Sequence, residues 1–303
     1  MTINLHGRLL NLTCPITMGI INATPDSFFA GSRTGAEDGD NEEMARRALE
    51  LAQRHLSQGA TILDVGACST RPASHPTTPD EERRRLDCVL PVLRQHFPDA
   101  IISLDTFRAD IADHCAERYA IDIINDVSAA TIDPGIADVA ARRRLPYVLT
   151  HGYCPTTQAE DAYQLQPDDE MPHITLARFF ACHIEHLHNR GVADIILAPG
   201  FGFGKTRQQN FCILQHLNEL TNTFSHYPWL IALSRKRMVY ETLHTTPDEA
   251  LNGTSVLNTI ALQAGAHILR VHDVQPAQEA IQLLNALNFP TPSIPPVTTP
   301  SLP

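Results

Sequence analysis

The sequence predicts a single (β/α)8 barrel, on three observations. Short apolar runs the length of buried strands recur from end to end, at residues 16–21, 61–65, 101–104, 121–124, 146–149, 194–197, 229–233 and 267–271. Amphipathic or capped stretches long enough for helices lie between them, as in NEEMARRALELAQRHLSQG, TPDEERRRLDCVLPVLRQHF and TPDEALNGTSVLNTIALQAG. Polar side chains gather where the runs end, which is where a barrel builds its site. The assignment is one barrel over residues 1–288 and a proline-rich tail over 289–303, which can continue neither helix nor sheet and is expected to be disordered.

The first run ends in Asn22-Ala-Thr-Pro-Asp-Ser, and the second carries Asp64 and then Cys68-Ser-Thr70-Arg71-Pro72. The third ends in Asp105-Thr106 and the fourth in Asn125-Asp126. Thr150-His151 close the fifth, and residues 152–172 follow as a long loop of the kind that is functional or mobile. The sixth leads into PGFGFGKT, the seventh into Ser234-Arg235-Lys236, and the eighth carries Arg270-Val-His272-Asp273. Two helix starts share one signature. Thr78-Pro79-Asp80-Glu81 and Thr246-Pro247-Asp248-Glu249 each read as an N-cap, a proline at the first helical position and acids in the first turn.

Bulk properties exclude several classes. No apolar run approaches the ~18 residues of a membrane span, and the N-terminal residues lack the charged region and apolar core of a signal peptide. A cytoplasmic protein is expected. The formal net charge of −11 argues against a general nucleic-acid or membrane surface, and the scattered cysteines, without a C-x-x-C pair, form neither a disulfide framework nor a zinc ribbon. His183 and His186 share a helix face with no companion ligand and read as surface residues.

The polar exits sort by charge. Arg71, Lys236, Arg270 and His272 are cationic or potentially so and suit a phosphate or pyrophosphate. Asp105 and Asn125 offer an acceptor and an amide to the edge of a heterocycle. Asn22 offers an oxygen that, with substrate phosphates, suits Mg²⁺. A Cys68/His151 hydrolase is a weak rival, since no sequence feature pairs the two. The loop DIILAPGFGFGKT imitates a phosphate loop and fails as one. Pro199 stands where a Walker A motif needs glycine, and Gly200, Gly202 and Gly204 alternate against the dinucleotide pattern. It reads instead as a strand exit whose Phe201 or Phe203 can cover a flat ligand.

In order and spacing, MGIINATPDSF, ILDVGACSTRP, SLDT, INDVS, PGFGFGK, LSRK and LRVHDV resemble the dihydropteroate synthases over residues 15–286. The resemblance implies a TIM barrel, usually a homodimer, that joins 6-hydroxymethyl-7,8-dihydropterin diphosphate to p-aminobenzoate with Mg²⁺ assisting. Pyrophosphate leaves first, and the aniline nitrogen attacks the pterin cation. It places Asn22 on metal and diphosphate, Arg270 and His272 in the anion pocket, and Asp105 and Asn125 on the pterin ring. Lys236 lies along the pterin, while Ser234, Thr70, Arg71, Pro72 and Phe203 frame p-aminobenzoate. The loops after the first two strands close over the substrates.

The chain departs from that pattern at Ala198, where the family carries an aspartate that accepts from the pterin's ring N–H and amino group. Asp194, about 13 Å upstream along a strand, cannot replace it. Thr150 and Gly152 flank His151 where His-Met is usual, Ala232 replaces a glycine, and Arg237 follows Lys236 where serine is common. Ala30 and Ala67-Cys68 depart in the first two loops. Two other readings remain open: a synthase-inactive paralogue that binds a related ligand or a protein partner, and a pterin-dependent methyltransferase.

Overall fold

The computed structural model of the chain describes residues 1–23, 41–68, 77–152, 165–166 and 168–287. An antiparallel hairpin of β1 (Thr2–Leu5) and β2 (Arg8–Asn11) precedes eight parallel strands. These are β3 (Ile16–Asn22), β4 (Ile62–Gly66), β5 (Ile101–Asp105), β6 (Ile123–Asp126), β7 (Tyr147–Thr150), β8 (Ile195–Ala198), β9 (Leu230–Ile231) and β10 (Ile268–Val271). They pair in the order β8-β7-β6-β5-β4-β3-β10-β9. The gap between β8 and β9 is bridged where the Leu197 N–H donates to the Pro228 carbonyl at 2.8 Å. The expected barrel is the observed one, and every strand overlaps its apolar run, six of them extending one or two residues past its end.

The helical layer comprises α1 (Asn41–Ser57), α2 (Pro79–His96), α3 (Ala109–Tyr119), α4 (Gly135–Arg143), α5 (Pro172–Asn189), α6 (Arg207–Gln215), α7 (Leu217–Thr223), α8 (Arg237–Thr242), α9 (Leu251–Gln263) and α10 (Val274–Leu287). Thr78 caps α2 as expected, its hydroxyl accepting from the Glu81 N–H at 3.2 Å. The similar signature at Thr246 starts no helix. Arg235 Nη1 donates to the carbonyls of Pro247 and Asp248 at 2.7 and 2.6 Å, which holds these residues in a turn, and α9 begins only at Leu251. Among the described residues no helix is long and apolar enough to cross a membrane.

Two apolar clusters follow from strand alternation. One lies between barrel and helices; the other fills the interior with Met18, Ile62, Ile101, Ile123, Val148, Ile196, Leu230 and Ile268. The hairpin belongs to the second. Its buried Ile3 and Leu5, with Leu12, join the interior cluster and plug the N-terminal end, while Thr2 and Asn4 stay exposed. At about 1.5–3 kcal/mol for each fully buried aliphatic side chain, the plug is a substantial part of the stability.

Candidate functional site

Two residues beyond each floor position, alternation returns the chain to the interior one tier nearer the mouth. That step runs from Met18 to Ile20 and Asn22, from Ile62 to Asp64, from Ile101 to Ser103 and Asp105, and from Ile123 to Asn125. It also runs from Val148 to Thr150, from Ile196 to Ala198, from Leu230 to Ala232, and from Ile268 to Arg270. Most of this upper tier is polar, so the candidate site stands directly on the apolar floor. Ala198 and Ala232, on the neighbouring sixth and seventh barrel strands, instead pack with the interior cluster.

An ion-paired group holds the opposite side of the tier. Arg270 Nε donates to Asp64 Oδ2 at 2.6 Å and Nη2 to Asp105 Oδ2 at 2.5 Å. Asn125 Nδ2 donates to both Asp64 oxygens at 3.1 and 3.2 Å. Burial, opposed by the Arg270 charge and aided by Asp64, raises the Asp105 carboxyl to about 7. Gly66 lies between Asn22 and Asp105 in the strand register. A Cβ on it would come within 3.1 Å of the Asp105 Cβ, so the glycine makes room for that carboxylate. Asn22 is half-buried at the end of β3.

The other wall carries the aromatic and the remaining cations. Lys236 Nζ sits 4.5 Å from the centre of the Phe203 ring, a cation–π contact. Burial first, and then Arg270, lower the Lys236 ammonium to about 8. The sequence reads His272 as cationic or potentially so, and its surroundings favour the neutral form. Burial and the charges of Arg270 and Lys236 push it well below the ordinary histidine value, so it is neutral. Its backbone N–H donates to Ser234 Oγ at 3.2 Å and its Nδ1 lies 2.9 Å from that oxygen. With the hydroxyl donating to Nδ1, the ring hydrogen rests on Nε2. Thr70, Arg71 and Pro72 lie outside the described residues, as do most of residues 152–172, the departure at Ala30 and the tail.

The glycine loop consumes its own lysine. Lys205 Nζ donates to the carbonyls of His151, Gly200 and Phe203 at 2.8, 2.9 and 3.1 Å, so it cannot serve a phosphate. Gly200 has φ +67°, and a Cβ there would lie 2.0 Å from the His151 carbonyl oxygen. The tight exit expected from the sequence is the observed one. Gly152 is equally confined, since its Cβ would lie 1.9 Å from the Val127 carbonyl oxygen.

Asn125, Thr150, Ala198, Phe203, Ala232, Lys236 and Arg270 line one cavity. A flat heterocycle entering it meets donors and acceptors on the Asn125 side and methyl groups at Ala198 and Ala232. Asp194 lies at the far end of the barrel, where its carboxylate accepts from the Asn4 N–H. The Cys68/His151 pairing is not formed. His151 packs edge-on against Phe179 of α5, ring centres 4.7 Å apart, and burial pushes the Cys68 thiol up to about 11. His183 and His186 lie on the half-buried and exposed surface of α5, as expected.

Sequence reasoning missed the part played by Asp64 and Lys205. Asp64 was visible as a carboxylate on a strand, but its partner Arg270 is 206 residues away. Lys205 carried the false signal of a Gly-Lys-Thr.

Comparison with known proteins agrees with this geometry. The family model "pterin binding enzyme" matches residues 18–272. The dihydropteroate synthase of Escherichia coli K12 is 35% identical over 287 residues, covering 93% of this chain and 94% of the relative. That of Bacillus subtilis is 34% identical over 276 residues, covering 90% and 88%. Among solved structures, Yersinia pestis dihydropteroate synthase in a sulfonamide drug complex superposes with a TM-score of 0.80 at 36% identity, covering 95% of this chain and 98% of that one. The Xanthomonas albilineans enzyme with 4-aminobenzoic acid gives 0.80 at 31%, covering 96% and 99%.

Proposed function

We infer the function from the family to which the chain belongs, the dihydropteroate synthases among the pterin-binding enzymes. It is a transferase of folate biosynthesis that condenses 6-hydroxymethyl-7,8-dihydropterin diphosphate with p-aminobenzoate, giving 7,8-dihydropteroate and pyrophosphate. The observation that carries this reading is the tier of Asp64, Asp105, Asn125, Lys236 and Arg270 over an apolar floor. It sets hydrogen-bonding groups for a heterocycle beside cations for a leaving anion.

Asn125 and Asp105 bind the pterin edge, with Arg270 fixing the carboxylate. Lys236, stacked on Phe203, lies along the ring and places its charge where negative charge gathers as the diphosphate leaves. Electrostatic stabilisation and positioning do most of the work, because the described residues of the site include no activated nucleophile. Neutral His272, set by Ser234, assists the leaving group as a hydrogen-bond donor through Nε2 and not as a fixed charge. Thr70, Arg71, Pro72, Ser234 and Phe203 frame p-aminobenzoate.

Asn22 contributes one neutral oxygen at the mouth, while Asp64 and Asp105 are engaged by Arg270. Such a donor set fits a Mg²⁺ ion that arrives with the diphosphate and keeps most ligands from phosphate and water. Asn22 would hold the ion, which supplies charge neutralisation when bound. The homodimer fits the packing of α9 on α10, which together expose Val256, Ile260, Leu283 and Leu287. The exposed thiols of Cys14 and Cys182 suit the reducing cytoplasm.

Ala198 is the position where recognition departs from the family, since the pterin's ring N–H and amino group meet a methyl there. We therefore assign weakened pterin binding to this chain. Pyrophosphate release that requires both substrates tests the reading. A folded protein that binds pterin without releasing pyrophosphate is the synthase-inactive paralogue instead. Transfer of methyl from a methyl-folate would establish the methyltransferase. The relatives favour the synthase over both alternatives.

A further inference from the structure

Outside the barrel mouth, three ligand-bearing side chains meet between α5 and the α6–α7 junction. His173 stands in the first turn of α5, Cys212 on α6, and His216 joins α6 to α7. Their ligand atoms all lie within 4.8 Å of one another. We propose that His173, Cys212 and His216 form a zinc-binding site that staples α5 to the α6–α7 junction.

The distances suit the ion before it arrives. Cys212 Sγ lies 3.7 Å from His216 Nδ1 and 4.0 Å from His173 Nδ1. In a tetrahedral zinc site, with Zn–S about 2.3 Å and Zn–N about 2.0–2.1 Å, adjacent sulfur and nitrogen ligands stand about 3.6 Å apart. The two imidazoles stack with centres 4.1 Å apart and planes 6° from parallel, and each Nδ1 lies near the same sulfur, so one ring must turn out of the stack to bring both nitrogens onto one ion. Cys212 and His216 are four residues apart, so the helix places both on one face. The ion would sit by the C-terminal end of α6, where the helix dipole favours a cation.

Surrounding charge also favours a cation. A solvent-open cavity beside Cys212 is lined by Asp168, Asp169, Glu170 and Gln209. Asp169 already accepts from the Met171 N–H at 2.9 Å and the Thr175 hydroxyl at 2.7 Å. It therefore contributes field, and water from the cavity takes the fourth coordination position. His216 Nδ1 lies 2.9 Å from the Cys212 carbonyl oxygen. Coordination moves the ring hydrogen to Nε2, breaks that contact, and releases the Cys212 proton to solvent. Imidazole and thiolate together select zinc over the hard magnesium ion.

The test uses the full-length, tag-free protein, stripped of metal and titrated with Co²⁺ as a spectroscopic stand-in for Zn²⁺. One equivalent should give a near-ultraviolet thiolate-to-cobalt charge-transfer band that Zn²⁺ abolishes by displacement. Cys212→Ser should lose the band, His216→Ala should weaken Co²⁺ binding at least tenfold, and Cys182→Ser should leave both unchanged. Circular dichroism checks that each variant is folded. Absence of the band from the folded parent overturns the proposal, as does a band of full intensity in Cys212→Ser. Neither outcome touches the synthase reading, which rests on the side chains inside the barrel mouth.

Discussion

Arg270 and Asp64 form an ion pair across the barrel interior, Nε to Oδ2 at 2.6 Å, with the carboxylate wholly inaccessible and the arginine side chain 16% exposed. The same arginine reaches Asp105 at 2.5 Å. One cation thus holds two carboxylates in the tier that receives the pterin. A buried pair of this kind contributes little net stability while intact, but losing one partner strands the other charge.

Asp64→Asn should therefore lower stability by about 3–5 kcal/mol. Asp64→Asn with Arg270→Met should recover part of that loss, because the one carboxyl left behind, Asp105, is already raised by burial and can take up a proton. Thermal unfolding of the two single variants and the double variant measures the coupling. Additive losses would mean that the pair does not act as a unit.

Lys236 sets the alkaline limit of activity. Its ammonium is lowered to about 8 by burial and by Arg270, so it is protonated below that pH and neutral above it. The kcat/KM for the pterin diphosphate should fall as pH rises through about 8. Lys236→Arg, which keeps its charge, should lower the rate overall but abolish that limb. A limb that survives in the arginine variant must belong to another group.

Lys205 should prove structural although it ends a glycine loop. Lys205→Met removes a donor from three carbonyls and should cost about 2 kcal/mol or more, at ~1.5–3 kcal/mol per hydrogen bond to a charged group. Phe203, released on one side, should raise the KM for p-aminobenzoate more than it changes kcat. Unchanged stability with a lost diphosphate affinity would instead show that Lys205 binds the anion.

Gly152 is confined by the neighbouring backbone. Its Cβ would fall 1.9 Å from the Val127 carbonyl oxygen, so Gly152→Ala forces the backbone apart. We expect a lower melting temperature and lower activity from this smallest of substitutions. Melting curves that coincide with the parent would show that the loop after β7 relaxes freely.

Much of this was legible because parallel strands buried on both faces read as apolar runs that stop at polar exits. The alternation that carries Ile62 to Asp64 and Ile268 to Arg270 is written in the sequence. What it could not show is which distant groups meet. Asp64 looked like any strand carboxylate, and His272 looked cationic because burial is invisible in a string of letters. The Thr246 cap failed because Arg235, from another loop, takes the carbonyls a helix would use. The N-terminal hairpin escaped notice because its alternation is only two side chains deep, Ile3 and Leu5. Cys212 and His216, four residues apart, carry a spacing signal of the same kind as His183 and His186.

Ala198 is the position on which the proposed function turns. It is nearly inaccessible and packs with the apolar floor, while its neighbours in the tier are polar. The most direct measurement is pyrophosphate release from the pterin diphosphate and p-aminobenzoate by this chain and by Ala198→Asp. The parent should release pyrophosphate only when both substrates are present. The variant should raise kcat/KM at least about tenfold through the pterin KM, one charged hydrogen bond being worth ~1.5–3 kcal/mol. Two folded proteins that release none would contradict the synthase function. Two fully and equally active ones would contradict the role assigned to residue 198.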